Sequence, residues 1–265
     1  MKTYVINSIE DLEQFEDDGA YGVDGNLEVN CSLDIQKRLI IGGYLFIKAD
    51  RDIKACKSIE AGDSIKAGGS IKVGGFIKTG RFIKVSGCIE SSQYIEVGKY
   101  IEADGFIETG GYIKANESIE TGRYIEAYES IEAGGFIMAG DSIKAGGFIM
   151  AGESIYADKS VNAGEFIKTG RFIKAGGDIL AGNNCGITVG LSIKCTGKLY
   201  CGLKILAGTS PCHEITDENK TITCGKFEGG EIGYGILVET NVNNDDKTQE
   251  ALELLKSKGY KIIKE

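Results

Sequence analysis

The residues able to do chemistry are few and clustered late in the chain. His213, the single histidine, adjoins Cys212, with Cys195, Cys201 and Cys224 nearby. A cysteine and a histidine form a nucleophile–base pair only when their side chains meet, which neighbours in sequence rarely do. Zinc would want tetrahedral sulfur and nitrogen ligands, usually supplied by C-x-x-C pairs, and the chain has none. It also has no P-loop, dinucleotide fingerprint or nucleophile elbow. Glu90, Glu108 and Glu126 share a spacing that would let them do acid–base work if desolvated together, but a regular rod offers no pocket for that. The expectation is a non-enzyme, with no catalytic residue, no cofactor and no metal ligand.

The spacing of those glutamates belongs to a larger order. In "AGDSIKAGGSIKVGGFIKTGRFIKVSG", residues 61 to 87, an Ile, a charged residue, a small residue and a glycine recur every six positions. A branched aliphatic stands at every sixth residue from Val29 through Ile35, Ile41, Ile47 and Ile53 to Ile179, with Val161 the other exception. Helices repeat apolar residues at three and four, whereas six is a multiple of two, so these side chains all point to one side of extended chain. Two residues on comes a small inward partner such as Ala61, Val73 or Thr79, then a corner held by Gly, Asn, Asp or Ser, the types that best tolerate left-handed backbone. Periods of this length belong to solenoids.

The sequence therefore predicts an all-β fold, a single-stranded parallel β-helix with triangular coils of about 18 residues. Residues i and i+18 would then touch. Right-handed crossovers are favoured.

Tandem hexapeptides with one aliphatic per strand resemble the hexapeptide-repeat acyltransferases and the bactofilin-type polymer-forming solenoids, over residues 27 to 208. In the acyltransferases the small residue precedes the aliphatic; in Ile59-Glu60-Ala61-Gly62 it follows. The "SIKAGGSIKAG"-like composition is also similar to uncharacterised repeat proteins of phages and mobile elements.

Three regions follow: an N-terminal cap over 1–26, the solenoid over 27–208 and a C-terminal cap over 209–265. Each cap is expected to contain a helix, because terminal coils otherwise expose interior and unpaired edges. Asn7 or Ser8 would cap the first, with Ile9, Leu12 and Phe15 as its apolar stripe and Asp11 in a capping box. An additional inward series, Leu27, Leu33, Leu39 and Leu45, marks the first coils, and after Ile179 the phase slips by two to Ile187, Ile193, Leu199 and Ile205. The stretch "DDKTQEALELLKSKGYKIIKE" reads as an amphipathic helix stopped at Gly259, then a final strand.

Composition narrows the partner. The 265 residues include 39 glycines, one proline and eight irregularly spaced cysteines, expected to be reduced thiols, and the net charge is −9. That charge argues against direct binding to nucleic acid or an anionic membrane. The opening "MKTYVINSIEDLEQF" holds no apolar run behind a basic patch, so a cytoplasmic location is expected.

On the skin, the residue before each Ile is expected to face solvent, and serine alternates there with aromatics such as Phe76, Phe82, Tyr94, Tyr100, Phe106, Tyr112 and Tyr124. The residue after it is mostly Lys or Glu. Glu60, Lys78, Glu96, Lys114 and Glu132 alternate in sign from coil to coil, whereas Glu90, Glu108 and Glu126, and likewise Glu102 and Glu120, would stack like on like at a cost in stability. The band of Glu90, Tyr100, Glu102, Phe106, Glu108, Glu120, Tyr124 and Glu126 is thus the candidate surface for a protein partner. The function expected is a non-enzymatic protein-binding rod, in concrete form an inhibitor carried by a phage or mobile element that blocks a basic, nucleic-acid-handling host protein. A bactofilin-like scaffold and an acyltransferase relative are the alternatives, and the oligomeric state stays open.

Overall fold

A computed structural model describes residues 1–240 as a parallel β-solenoid of about 12 turns with about 18 residues per turn. Each turn of the regular region lays down three short strands. Ile83 lies between Ile65 and Ile101, Ile89 between Ile71 and Ile107, and Ile95 between Ile77 and Ile113. These ladders define faces I, II and III, in chain order. Face I is a 13-stranded sheet that runs from Thr3–Ile6 to Ile236–Glu239.

Each regular strand buries two side chains and presents the one between them outward. Ile95 and Val97 are at most 1% exposed while Glu96 lies at the surface. β-Branched residues suit such a pleated, half-buried strand, and burying one aliphatic side chain stabilises by roughly 1.5–3 kcal/mol. Serine and threonine in the small slot need partners. Ser91 Oγ donates to the Gly75 carbonyl and Thr109 Oγ1 to the Gln93 carbonyl, each at 2.7 Å. The hydroxyls of Thr79 and Thr169 are buried without one.

The structure corrects the sequence register in the first coils. Ile35, Ile41 and Ile47 stack on Ala55, Ala61 and Ala67, so they fill the small slot together with Val29. The large slot belongs there to Leu27, Leu33, Leu39 and Leu45, which align with Ile53, Ile59 and Ile65 further on. Two extra residues between Leu45 and Ile53 shift the phase, and Asp50, at φ 59, makes the turn that absorbs them. A period of six hides this because a slip of two preserves the inward parity. The later slip is as expected: Ile187 pairs with Ile167.

The corners hold a second correction. None of the corner glycines from Gly62 to Gly182 has a left-handed φ. Glycine is favoured there because coils approach closely: a Cβ on Gly80 would lie 2.1 Å from the Gly62 carbonyl oxygen. The third correction is exposure, since Phe76, Tyr94, Tyr100, Phe106, Tyr112 and Tyr124 are half-buried rather than solvent-facing.

At the N-terminus, Thr3–Ile6 already pairs with Asn26–Val29, and Ala20–Val23 with Arg38–Ile41, so coil geometry begins before residue 27. The expected α-helix is a six-residue 3-10 turn, Glu10–Phe15, and no α-helix occurs among the described residues. Leu12 is buried and Ile9 and Phe15 pack on the core. Neither Asn7 nor Ser8 caps that turn with its side chain; their backbone N–H groups donate to Asp11 Oδ2 at 2.8 and 3.0 Å instead, which holds the Asp11 carboxyl below its usual range. Past residue 208, Thr221–Cys224 and Ile236–Glu239 continue face I. The helix and strand expected at the C-terminus lie outside the described residues.

Candidate functional site

The outward residues of face II form one column in register: Lys54, Lys72, Glu90, Glu108, Glu126, Lys144. Its flanks neutralise its outer acids. Lys72 Nζ bonds Glu90, and Lys144 Nζ stands 2.6 Å from Glu126 Oε1. These hydrogen bonds, and then the carboxylate charge, raise both lysine pKa values. Glu108, in the middle, makes no ion pair among the described residues and accepts instead from Tyr124 Oη at 3.2 Å. Burial first, and then this hydrogen bond, raises the Tyr124 pKa.

Face I carries the matching column Lys66, Lys84, Glu102, Glu120, Met138. Lys84 pairs with Glu102 at 2.5 Å, while Glu120, set between Glu102 and Met138, makes no ion pair among the described residues. The rings stand alongside, Tyr100 stacked on Phe82 at 5.1 Å and Tyr124 on Phe106 at 4.7 Å. All eight residues of the band therefore occupy two adjoining faces: Tyr100, Glu102 and Glu120 on I, and Glu90, Phe106, Glu108, Tyr124 and Glu126 on II. On face III the alternating column closes as opposite charges should, Lys78 with Glu96 at 3.0 Å and Lys114 with Glu132 at 3.3 Å.

Period counting overlooks Tyr128. It occupies a corner between faces II and III and is 80% exposed. Its neighbours one coil away on either side, Gly110 and Gly146, have no side chain to cover it. Together with Glu90, Glu108 and Glu126 it lines a groove of about 440 Å³. The signal was present in the sequence as an aromatic in a slot that, from Cys56 to Gly182, Gly, Ser, Asn, Asp and Cys otherwise fill.

The late thiols sit elsewhere. The pairing of Ile193 with Ile222 puts Cys195 and Cys224 in the small slot on successive coils of face I, both buried. Burial, with the charge of the other thiol second, pushes Cys195 up to about 12; burial, then Glu239, pushes Cys224 to about 11. Thiols held neutral in this way are poor nucleophiles and poor metal ligands. His213 Nδ1 lies 2.8 Å from Ser210 Oγ in an exposed loop. Among the described residues no three His, Cys, Asp or Glu side chains gather as a metal site, and no helix is long and apolar enough to cross a membrane.

What this surface offers is charge and aromatic area. Comparison with protein-family models, with curated proteins and with solved structures gave no match to this chain, so the likeness to hexapeptide-repeat enzymes, bactofilins and phage repeat proteins rests on the repeat alone and assigns no family.

Proposed function

We propose that this chain is a non-catalytic binding rod whose faces I and II dock a basic protein, in concrete form an inhibitor carried by a phage or mobile element that occupies the nucleic-acid-handling groove of a host protein. The observation that carries this reading is the pair Glu108 and Glu120. Between residues 54 and 144 the other acids of the three columns have a lysine or arginine within reach, whereas these two stack like on like and make no ion pair among the described residues. Like charges in direct register destabilise a sheet, so an arrangement of this kind is favoured when a cationic partner compensates it. Half-buried rings and the projecting Tyr128 supply the aromatic anchors that interfaces use. An acidic rod also suits a groove built for phosphates.

The test is affinity purification from the native host, followed by mass spectrometry, with three baits: wild type, Glu108→Lys/Glu120→Lys, and the control Glu117→Lys/Glu153→Lys. The expected result is a basic protein retained by wild type and control and lost with the band variant. Equal retention by all three overturns the reading. A concentration-dependent rise in light scattering for the pure protein would favour the scaffold alternative instead.

A further inference from the structure

The outward column of face I is self-complementary when reversed. Past Met138 it continues with Tyr156, Lys174 and Lys194, each in register with the one before. From Glu102 onward the order is therefore two acids, two uncharged residues and two lysines. Lys84 neutralises Glu102, but Glu120, Lys174 and Lys194 are exposed and make no ion pair among the described residues. Met138 and Tyr156, between acids and lysines, are half-buried, and Tyr156 meets the Phe172 ring edge-on at 5.2 Å.

We infer that face I docks a second copy of this chain, antiparallel, about a two-fold axis laid along the strands between Met138 and Tyr156. Such an axis reverses the rod and keeps each residue over the column it came from. Met138 then faces the second copy's Tyr156, a thioether–ring contact made twice. Glu120 faces the second copy's Lys174, and Glu102 its Lys194. The position before each inward Ile obeys the same rule. Ladder hydrogen bonds order it here as Tyr100, Ser118, Phe136, Ser154, Phe172 and Ser192. Reversed about the same point, each ring lies opposite a serine and none opposite a ring, so the two faces meet without a clash of bulk. At the rim, Glu117 comes opposite Arg171 and Asp141 opposite Lys159.

One other centre on this face, between Lys84 and Glu102, also sets acids against lysines. There Phe82 would meet Tyr100 and Arg81 would meet Lys99, ring on ring and like on like, which disfavours it. About six coils at about 4.8 Å, with a face about five residues wide at about 3.3 Å each, give roughly 500 Å² per copy, or about 1,000 Å² in all. That lies near the lower limit for a specific interface, so the dimer is a weak one, with a Kd of roughly micromolar order. The inference goes beyond the binding reading above and does not rest on it. The two share Glu120, so a basic partner would compete with the second copy for face I, whereas Lys174 lies outside the acidic band.

The test is sedimentation equilibrium of the pure, full-length protein from roughly micromolar to several hundred micromolar concentration. The expected result is a mass that rises with concentration and levels off at twice that of the chain, because an isologous contact closes at two copies. Glu120→Lys and Lys174→Glu should each weaken the dimer at least tenfold, since each sets like charges opposite one another at two symmetric positions. The double variant, which restores opposite charges, should return to within about threefold of wild type. Lys168→Glu, the same change on face III, should leave association unaltered. A mass that stays that of one chain, growth past two copies as a scaffold would show, single swaps without effect, or a double variant that stays dissociated would overturn the inference. Only the pure protein is present, so failure here is separate from failure of the pull-down with host extract.

Discussion

Tyr124 Oη donates a 3.2 Å hydrogen bond to Glu108 Oε2, back across one coil step. The same bond joins Tyr112 to Glu96 at 3.2 Å and Tyr44 to Glu28 at 2.8 Å. In all three the tyrosine precedes an inward aliphatic and the glutamate follows the one in the preceding coil, sixteen residues earlier. Aromatic ladder and charge column are therefore tied together on all three faces. The ring orients the acid, and the acid holds the ring against the sheet.

The tie can be read by titration. Tyr112 and Tyr124 are both held above the ordinary tyrosine range, by burial first and by the neighbouring glutamate next. Both should ionise later than a free tyrosine side chain. Glu108→Gln should lower the Tyr124 pKa only in part, because the burial that contributes most is unchanged, and should leave Tyr112 where it was. Ring-carbon NMR across pH 8 to 12 checks this, and midpoints for Tyr112 and Tyr124 equal to that of N-acetyl-tyrosinamide would contradict it.

The interior hydroxyls give a matched pair. Thr79→Val should stabilise by about 1 kcal/mol, because it removes a buried oxygen with no partner while Val97, next in the same column, shows that valine fits. Thr109→Val should instead destabilise by about 1 kcal/mol, since Thr109 Oγ1 bonds the Gln93 carbonyl, which would be left unpaired. Denaturant melts of both variants suffice, and changes of the same sign would count against the account.

Corner crowding predicts an asymmetry. Gly80→Ala should destabilise by about 1–3 kcal/mol, because its Cβ would press on the Gly62 carbonyl 2.1 Å away. Tyr128→Gly should leave stability within about 0.5 kcal/mol, since that side chain is exposed. Circular dichroism melts would show whether the costs are instead alike.

Alkali should weaken the C-terminal coils through Cys195 and Cys224. An unfolded thiol ionises near about 8.5, whereas these two keep their protons to about 12 and 11 in the folded chain. Above the unfolded value the unfolded state holds fewer protons than the native one, so stability is full below about pH 8.5 and falls as pH rises toward the folded values. Cys195→Ala/Cys224→Ala should flatten that slope, and alanine already fills this slot at Ala157 and Ala175. Thermal midpoints at pH 8, 9, 10 and 11 are the measurement; an unchanged slope in the double variant would refute the assignment.

Much of this molecule was legible from spacing. A six-residue period with two inward positions permits strands and excludes helices, and an eighteen-residue coil then dictates which charges meet, as the pairings of Lys78 with Glu96 and Lys114 with Glu132 bear out. The placement of Glu90, Glu108 and Glu126 in one column was readable on the same ground. Spacing is blind to anything that keeps parity. It put Ile35, Ile41 and Ile47 in the wrong slot, since only contact with Ala55, Ala61 and Ala67 tells the large position from the small one. It attributed the corner glycines to backbone handedness, when the cause is a carbonyl eighteen residues away. It also passed over Tyr128, because exposure depends on the neighbours of a residue in the next coil, Gly110 and Gly146 here, and those come together only once the chain has wound.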